Sequence, residues 1–194
     1  MATPRDPSRR AVVAALASLP LGGAVAPSAG NPGAGTNGST ALVAYFSRSG
    51  NTRVVAGLIQ RAFGADLFEI QPAVPYPDEY LATVEQARQE RDRGIEPALE
   101  ATVVAIRSYQ TVYLGFPIWG ETAPPVIRSF LSRHDLNGKT LVPFVTHGGY
   151  GLGSSREVIA RLAPGANLQK EFLMQADQER QTMERVNEWL QRGR

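Results

Sequence analysis

Ala41-Leu42-Val43-Ala44-Tyr45-Phe46-Ser47-Arg48-Ser49-Gly50-Asn51-Thr52 passes from an apolar run into hydroxyl and amide side chains gathered around one glycine. Residues 41–47 are short, apolar and closed by turn formers, the pattern of a buried strand. From Thr52 to Phe63, the residues Val54, Val55, Leu58, Ile59 and Ala62 recur at helical spacing. The loop Ser47–Thr52 therefore joins a strand to a helix N-terminus, where unpaired backbone N–H groups and the helix dipole favour an anion. Gly50 lets the main chain turn closely around it. The helix end alone contributes about 0.3–1 kcal/mol, up to about 2 kcal/mol when partly buried, so hydrogen bonds must supply much of the affinity. A capping run is the plainer alternative, but a cap needs only one such residue, and the loop offers four in six. The loop matches neither G-x-x-x-x-G-K-[ST] nor G-x-G-x-x-G. A monophosphate held by hydroxyls and amides is the better fit.

Beyond this loop, strand and helix patterns alternate. Asp66–Ile70, Thr111–Phe116, Thr140–Thr146 and Leu168–Met174 read as further strands, although Pro143 weakens the fourth. Helices are expected over Asp78–Arg93, with Leu81, Val84 and Ala87 on its apolar side, from Pro125 through Leu131, over Ser155–Leu162, and over Asp177–Gln191, with Met183, Val186, Trp189 and Leu190 inward. Five strands alternating with helices imply right-handed βαβ units and a doubly wound parallel sheet. Such sheets bind ligands beyond the carboxyl ends of their strands, where strand order reverses. The loops after strands one, three and four are therefore the ones to inspect.

After strand three comes Pro117-Ile118-Trp119-Gly120-Glu121-Thr122, in which Trp119 offers a flat apolar surface for a planar ligand and backbone groups to meet its edge. A core tryptophan in a proline-rich turn is the competing reading. After strand four comes Thr146-His147-Gly148-Gly149-Tyr150-Gly151-Leu152-Gly153-Ser154-Ser155, whose glycines allow close backbone approach and whose serines are expected to cap the next helix. His147 is either a proton-transfer or ring-carbonyl partner or an ordinary surface-loop histidine.

The loop Ser47-Arg48-Ser49-Gly50-Asn51-Thr52 resembles the phosphate loop of the flavodoxin family, [ST]-x-[ST]-G-x-[ST], and the two later loops resemble a short-chain subgroup with P-I-W-W-G-T-x-P and T-S-G-G-S-G-x-G-S patterns. Pro75-Tyr76-Pro77-Asp78-Glu79-Tyr80 matches that subgroup too. The resemblance covers about residues 41–192. It implies a flavodoxin-like five-stranded sheet in the order 2-1-3-4-5 with helices on both faces. It also implies an FMN site built from Ser47–Thr52, Pro117, Ile118, Trp119, Gly120, Thr146, His147, Gly148, Gly149, Tyr150 and Gly153. Gly120 and Glu121 stand where the subgroup has Trp and Gly, so one aromatic wall is absent and a carboxylate is added. Tyr150 is the residue expected to supply the second wall.

Composition narrows the chemistry. The chain has no cysteine, which excludes disulfides, thiolate catalysis and iron–sulfur ligation, and its two histidines argue against an imidazole zinc site. The net charge of +2 is concentrated at the start, where Arg5, Arg9 and Arg10 face a single Asp6, so the remainder is formally neutral. No basic cluster with interleaved aromatics suggests nucleic acid. Ser8-Arg9-Arg10 followed by Ala11–Leu19 reads as an export signal of twin-arginine type, with cleavage expected at Ala24-Val25-Ala26 or near Ala29. The apolar run is too short to span a membrane, so no stable membrane insertion is expected after signal removal. Residues 1–38 are thus read as signal and linker and 39–194 as the FMN-binding domain, exported to an extracytoplasmic compartment; a non-functional signal would leave it cytoplasmic.

The expected function is electron transfer through bound flavin, to a redox partner protein or a small electron acceptor. An NAD(P)H-dependent quinone or flavin reductase is the second reading, and a non-redox module using the anion loop for another phosphorylated ligand the third. Electron-carrier flavodoxins are usually strongly acidic, so the neutral body favours a small acceptor such as a quinone. No nucleophile–base–orienter set supports a hydrolase.

Overall fold

The computed structural model describes residues 39–175, 186 and 188–192. The expected signal and linker at 1–38 lie outside the described residues, as does most of the helix expected over Asp177–Gln191 up to residue 185, Met183 included.

The sheet is built from β1 (Ala41–Tyr45), β2 (Asp66–Glu69), β3 (Thr111–Pro117), β4 (Thr140–His147), β5 (Asn167–Leu168) and β6 (Phe172–Gln175), separated by α1 (Asn51–Phe63), α2 (Tyr80–Asp92), α3 (Pro125–Arg133) and α4 (Ser155–Leu162). All pairings are parallel, in the order β2-β1-β3-β4, with β5 and β6 sharing the fifth position beside β4. This is the expected doubly wound 2-1-3-4-5 arrangement.

Alternation along β1 sends Leu42 and Ala44 to one face and Val43 and Tyr45 to the other. The first face packs on Val126, Ile127, Phe130 and Leu131 of α3 and Ile159 of α4. The second packs on Val55, Ala56 and Ile59 of α1, and on Val186 and Leu190, where the described part of the closing helix lies. Gly115 of β3 pairs with Phe144 of β4, and a Cβ there would sit 2.0 Å from the Phe144 ring. The glycine is what admits that ring.

The fifth strand is not continuous, contrary to the expected Leu168–Met174 run, and Pro143 accounts for the break. Successive residues of a parallel strand present their main-chain groups to opposite neighbours. Thr140 N–H and Thr146 C=O bond toward β3, and Leu141 C=O bonds toward Gln169. Pro143 therefore turns its nitrogen, which has no hydrogen to donate, toward the fifth position. There the pairing is interrupted between Leu141–Leu168 and Phe144–Phe172. Gln169 C=O, left without that donor, accepts instead from Arg156 Nη1 at 3.0 Å, and the same guanidinium pairs with Glu171 at 2.7 Å.

Helix α2 also departs from expectation. Its inward residues are Thr83, Ala87 and Glu90, while Leu81 and Val84 are exposed. Burial of Glu90 is made possible by two bonds: Tyr76 Oη donates to one carboxylate oxygen at 2.8 Å and Gln86 Nε2 to the other at 2.8 Å. Thr83 is held by donating to Pro77 C=O at 2.6 Å. The helix starts at Tyr80, after Glu79 caps it by accepting from the N–H groups of Leu81 and Ala82.

Candidate functional site

The three loops expected to carry function meet at the carboxyl edge of the sheet, over β1, β3 and β4. The first is shaped by Gly50, the N-cap of α1, whose φ of 94° is left-handed and open only to glycine without strain. Gly50 makes no side-chain cap. Ser47 Oγ does that work, accepting from the N–H groups of Gly50 at 3.2 Å and Arg53 at 3.3 Å. Among the described residues, the N–H groups of Ser49, Asn51 and Thr52 have no protein acceptor. Asn51 Nδ2 donates to Ser49 Oγ at 3.3 Å. The Arg48 side chain is held off toward α2, donating to Asp78 C=O at 2.8 Å and lying 5.8 Å over the Tyr80 ring. Unpaired N–H groups and hydroxyls, with the Arg48 guanidinium drawn aside and that of Arg53 paired with Glu69, fit a phosphate monoester better than a polyphosphate.

Thr52 is buried and its hydroxyl lies 2.9 Å from that of Thr146, at the end of β4, so the anion loop is tied directly to the third loop. Thr146 C=O in turn accepts from Ile118 N–H at 2.8 Å, which brings in the second loop.

In the second loop, Trp119 and Thr122 exchange both main-chain bonds, at 3.0 and 3.3 Å, across Gly120 and Glu121. Both central residues have positive φ, 56° and 62°, the geometry of a type I′ turn. Glu121 is the single non-glycine residue with positive φ among the described ones. Trp119 is half-buried and meets Phe46 and Tyr76 edge-on, at 5.2 and 4.9 Å between ring centres. It is thus anchored in an aromatic cluster, yet not enclosed.

The third loop leans on the second. Ser154 N–H donates to Glu121 C=O at 2.9 Å, and Ser154 Oγ to Thr122 Oγ1 at 3.0 Å. The expected capping role of the serines is therefore not taken up: Ser154 stands at the N-cap of α4 without a side-chain cap bond. The buried Ser155 Oγ has no partner among the described residues. A Cβ on Gly153 would lie 1.9 Å from Glu121 O, so this glycine sets how closely the loops approach. His147 Nδ1 accepts from Gly149 N–H at 3.1 Å and Gly151 N–H at 3.3 Å. In the neutral ring the proton then sits on Nε2, and the side chain shapes the glycine loop from within. Tyr150 is 83% exposed at the tip.

The expected site residues Ser47–Thr52, Pro117–Gly120, Thr146–Tyr150 and Gly153 thus lie in three mutually bonded loops. The residue that sequence reasoning missed is Tyr76. It buttresses Trp119 and caps the buried Glu90, and its only advance signal was the Pro-Tyr-Pro setting. Burial and the neighbouring Glu90 carboxylate hold the Tyr76 phenol far above its ordinary pKa.

No curated protein matches the sequence. Among solved structures, a candidate flavoprotein from Bacteroides eggerthii is 33% identical, with a TM-score of 0.68, over 79% of this chain and 96% of the other. A second, from Bacteroides uniformis, is 31% identical, with a TM-score of 0.65, over 80% and 99%. A flavoprotein from Lactobacillus acidophilus, solved in complex with FMN, shares the fold at 18% identity and a TM-score of 0.62, over 78% and 98%. The Flavodoxin family model matches residues 40–192, which include every strand of the sheet, and the chain belongs to the flavodoxin family.

Proposed function

We propose that this chain binds FMN and acts as a flavodoxin-type redox protein, passing electrons to a partner protein or a small acceptor. The observation that carries this reading is the anion cradle: the N–H groups of Ser49, Asn51 and Thr52, without an acceptor among the described residues, around left-handed Gly50. Ser47, Arg48 through its main chain, Ser49, Asn51 and Thr52 would hold the phosphate. Pro117, Ile118, Trp119 and Gly120 would form one wall of the ring site, and Thr146, His147, Gly148, Gly149, Tyr150 and Gly153 the other. When bound, FMN supplies the redox chemistry; the chain binds it, orients it and sets the polarity around it.

Residues 1–38 are proposed to direct export. An exported copy is separated from cytoplasmic NADPH, which favours a protein donor over direct nicotinamide turnover. Reduced anaerobically with dithionite, the FMN-loaded protein should be reoxidised by an added quinone, while NADPH alone leaves its visible band unchanged. Bleaching by NADPH would assign a nicotinamide-dependent reductase instead. Protein that takes up no FMN would leave only the non-redox binding module.

A further inference from the structure

A cavity of about 440 Å³ opens beyond the carboxyl ends of β1 and β2, on the side of β1 away from the two ring loops. Its lining includes Phe46 and Tyr76, whose rings lie 6.1 Å apart, tilted by 58°. Pro72, Pro75 and Pro77 stiffen one wall. That wall is further fixed by an antiparallel exchange with the segment around Leu99: Ala73 N–H donates to Ala98 C=O at 2.8 Å and Glu100 N–H to Gln71 C=O at 2.9 Å. The cavity is therefore preformed.

Two guanidiniums line it. Arg53 is paired with Glu69 at 2.6 Å, whereas Arg48 uses one donor on Asp78 C=O, interacts with Glu79 through its charge alone and keeps further N–H donors for a ligand. With Glu69 and Asp78 also in the lining and Glu79 beside Arg48, the cavity is close to charge-balanced and does not match a nucleotide's phosphates. It matches a flat molecule with carbonyl oxygens to accept from Arg48. Phe46 and Tyr76 also form the edge contacts with Trp119. The same two rings thus face the cavity and the tryptophan of the second loop.

We propose that this cavity binds a planar aromatic acceptor of the quinone class and that the acceptor is reduced there across the Trp119–Tyr76–Phe46 cluster. The quinone takes two electrons from the reduced flavin and two protons from solvent at the open mouth, the protons of the reduced flavin ring pass to solvent as it is oxidised, the two carbonyl oxygens become hydroxyls, and the quinol leaves. The reduction step rests on the flavin reading above; binding in the cavity does not. This gives the Pro75–Tyr80 segment a role: it builds the acceptor pocket, with Tyr76 oriented by its bond to buried Glu90.

The test uses 1,4-naphthoquinone as probe and Gln71→Trp, at an exposed lining position, as the blocking variant. The full chain should bind naphthoquinone equally with and without saturating FMN, with slowed amide exchange over residues 69–78. Gln71→Trp should weaken that binding about tenfold or more and slow quinone reoxidation of the reduced, loaded protein in proportion, with FMN uptake unchanged. Displacement of naphthoquinone by FMN would overturn the proposal, since the probe would then occupy the flavin site. So would unchanged affinity in Gln71→Trp together with no protection over 69–78. Protection there in a protein that takes up no FMN would support the cavity and overturn the flavin reading instead.

Discussion

Glu121 and Gly153 show how single residues set the distance between the ring loops. Glu121 holds a left-handed backbone that costs an L-residue about 1–2 kcal/mol, and its carbonyl is the acceptor for Ser154 N–H. Replacing it with glycine removes the strain and keeps the carbonyl, so Glu121→Gly should stabilise the fold by about 1 kcal/mol, read as a higher urea midpoint at unchanged slope. Gly153→Ala should act in the opposite direction. Its Cβ would collide with Glu121 O, a backbone atom that cannot swing away, and its φ of 55° is unfavourable for alanine. A loss of about 2 kcal/mol or more is expected in the same urea titration. The loop residues were legible from their types and spacing. Their interlocking was not, because the bonds from Thr52 to Thr146 and from Ser154 to Glu121 join residues far apart in sequence.

Elements were legible where the residues that turn inward are apolar. The four main strands and α1, α3 and α4 follow directly from periodicity. Helix α2 was not, because its inward face is polar: Glu90 and Thr83 are buried through bonds to Tyr76, Gln86 and Pro77 that no local pattern encodes. Leu81→Lys should therefore change stability by no more than about 0.5 kcal/mol, whereas Ala87→Lys should cost about 2 kcal/mol or more, in parallel urea titrations. The break in the fifth strand has a similar origin. Pro143 is visible in sequence, but the substitution of Arg156 for its missing N–H depends on where α4 lies. Arg156→Ala leaves Gln169 C=O short of a partner and should speed amide exchange across residues 167–175 relative to the rest of the sheet.

Across the whole molecule, α3 is tied to the segment before β3 by His134, whose Nδ1–H donates to Phe130 C=O at 2.7 Å and whose Nε2 accepts from Val103 N–H at 2.9 Å. The ring is neutral in this arrangement, and burial lowers its pKa from 6.5. In the unfolded chain the ring takes up its proton near pH 6.5, while the folded ring resists it. The unfolded state thus binds more protons as pH falls below 6.5, so this contribution is full above that value and declines until the folded ring also protonates. Unfolding free energy should drop on acidification from about pH 7 to about pH 5, with a shallower slope in His134→Asn. At the same scale, sheet order and three bonded loops converge on one claim, that a flavin is held here by its phosphate. Equilibrium titration with FMN and with riboflavin, followed by flavin fluorescence and by the near-ultraviolet and blue absorption bands, tests it directly. Tight uptake of FMN with quenched emission, and riboflavin weaker by about a hundredfold or more, is the result predicted; no uptake of FMN, or equal affinity for the two, would contradict it.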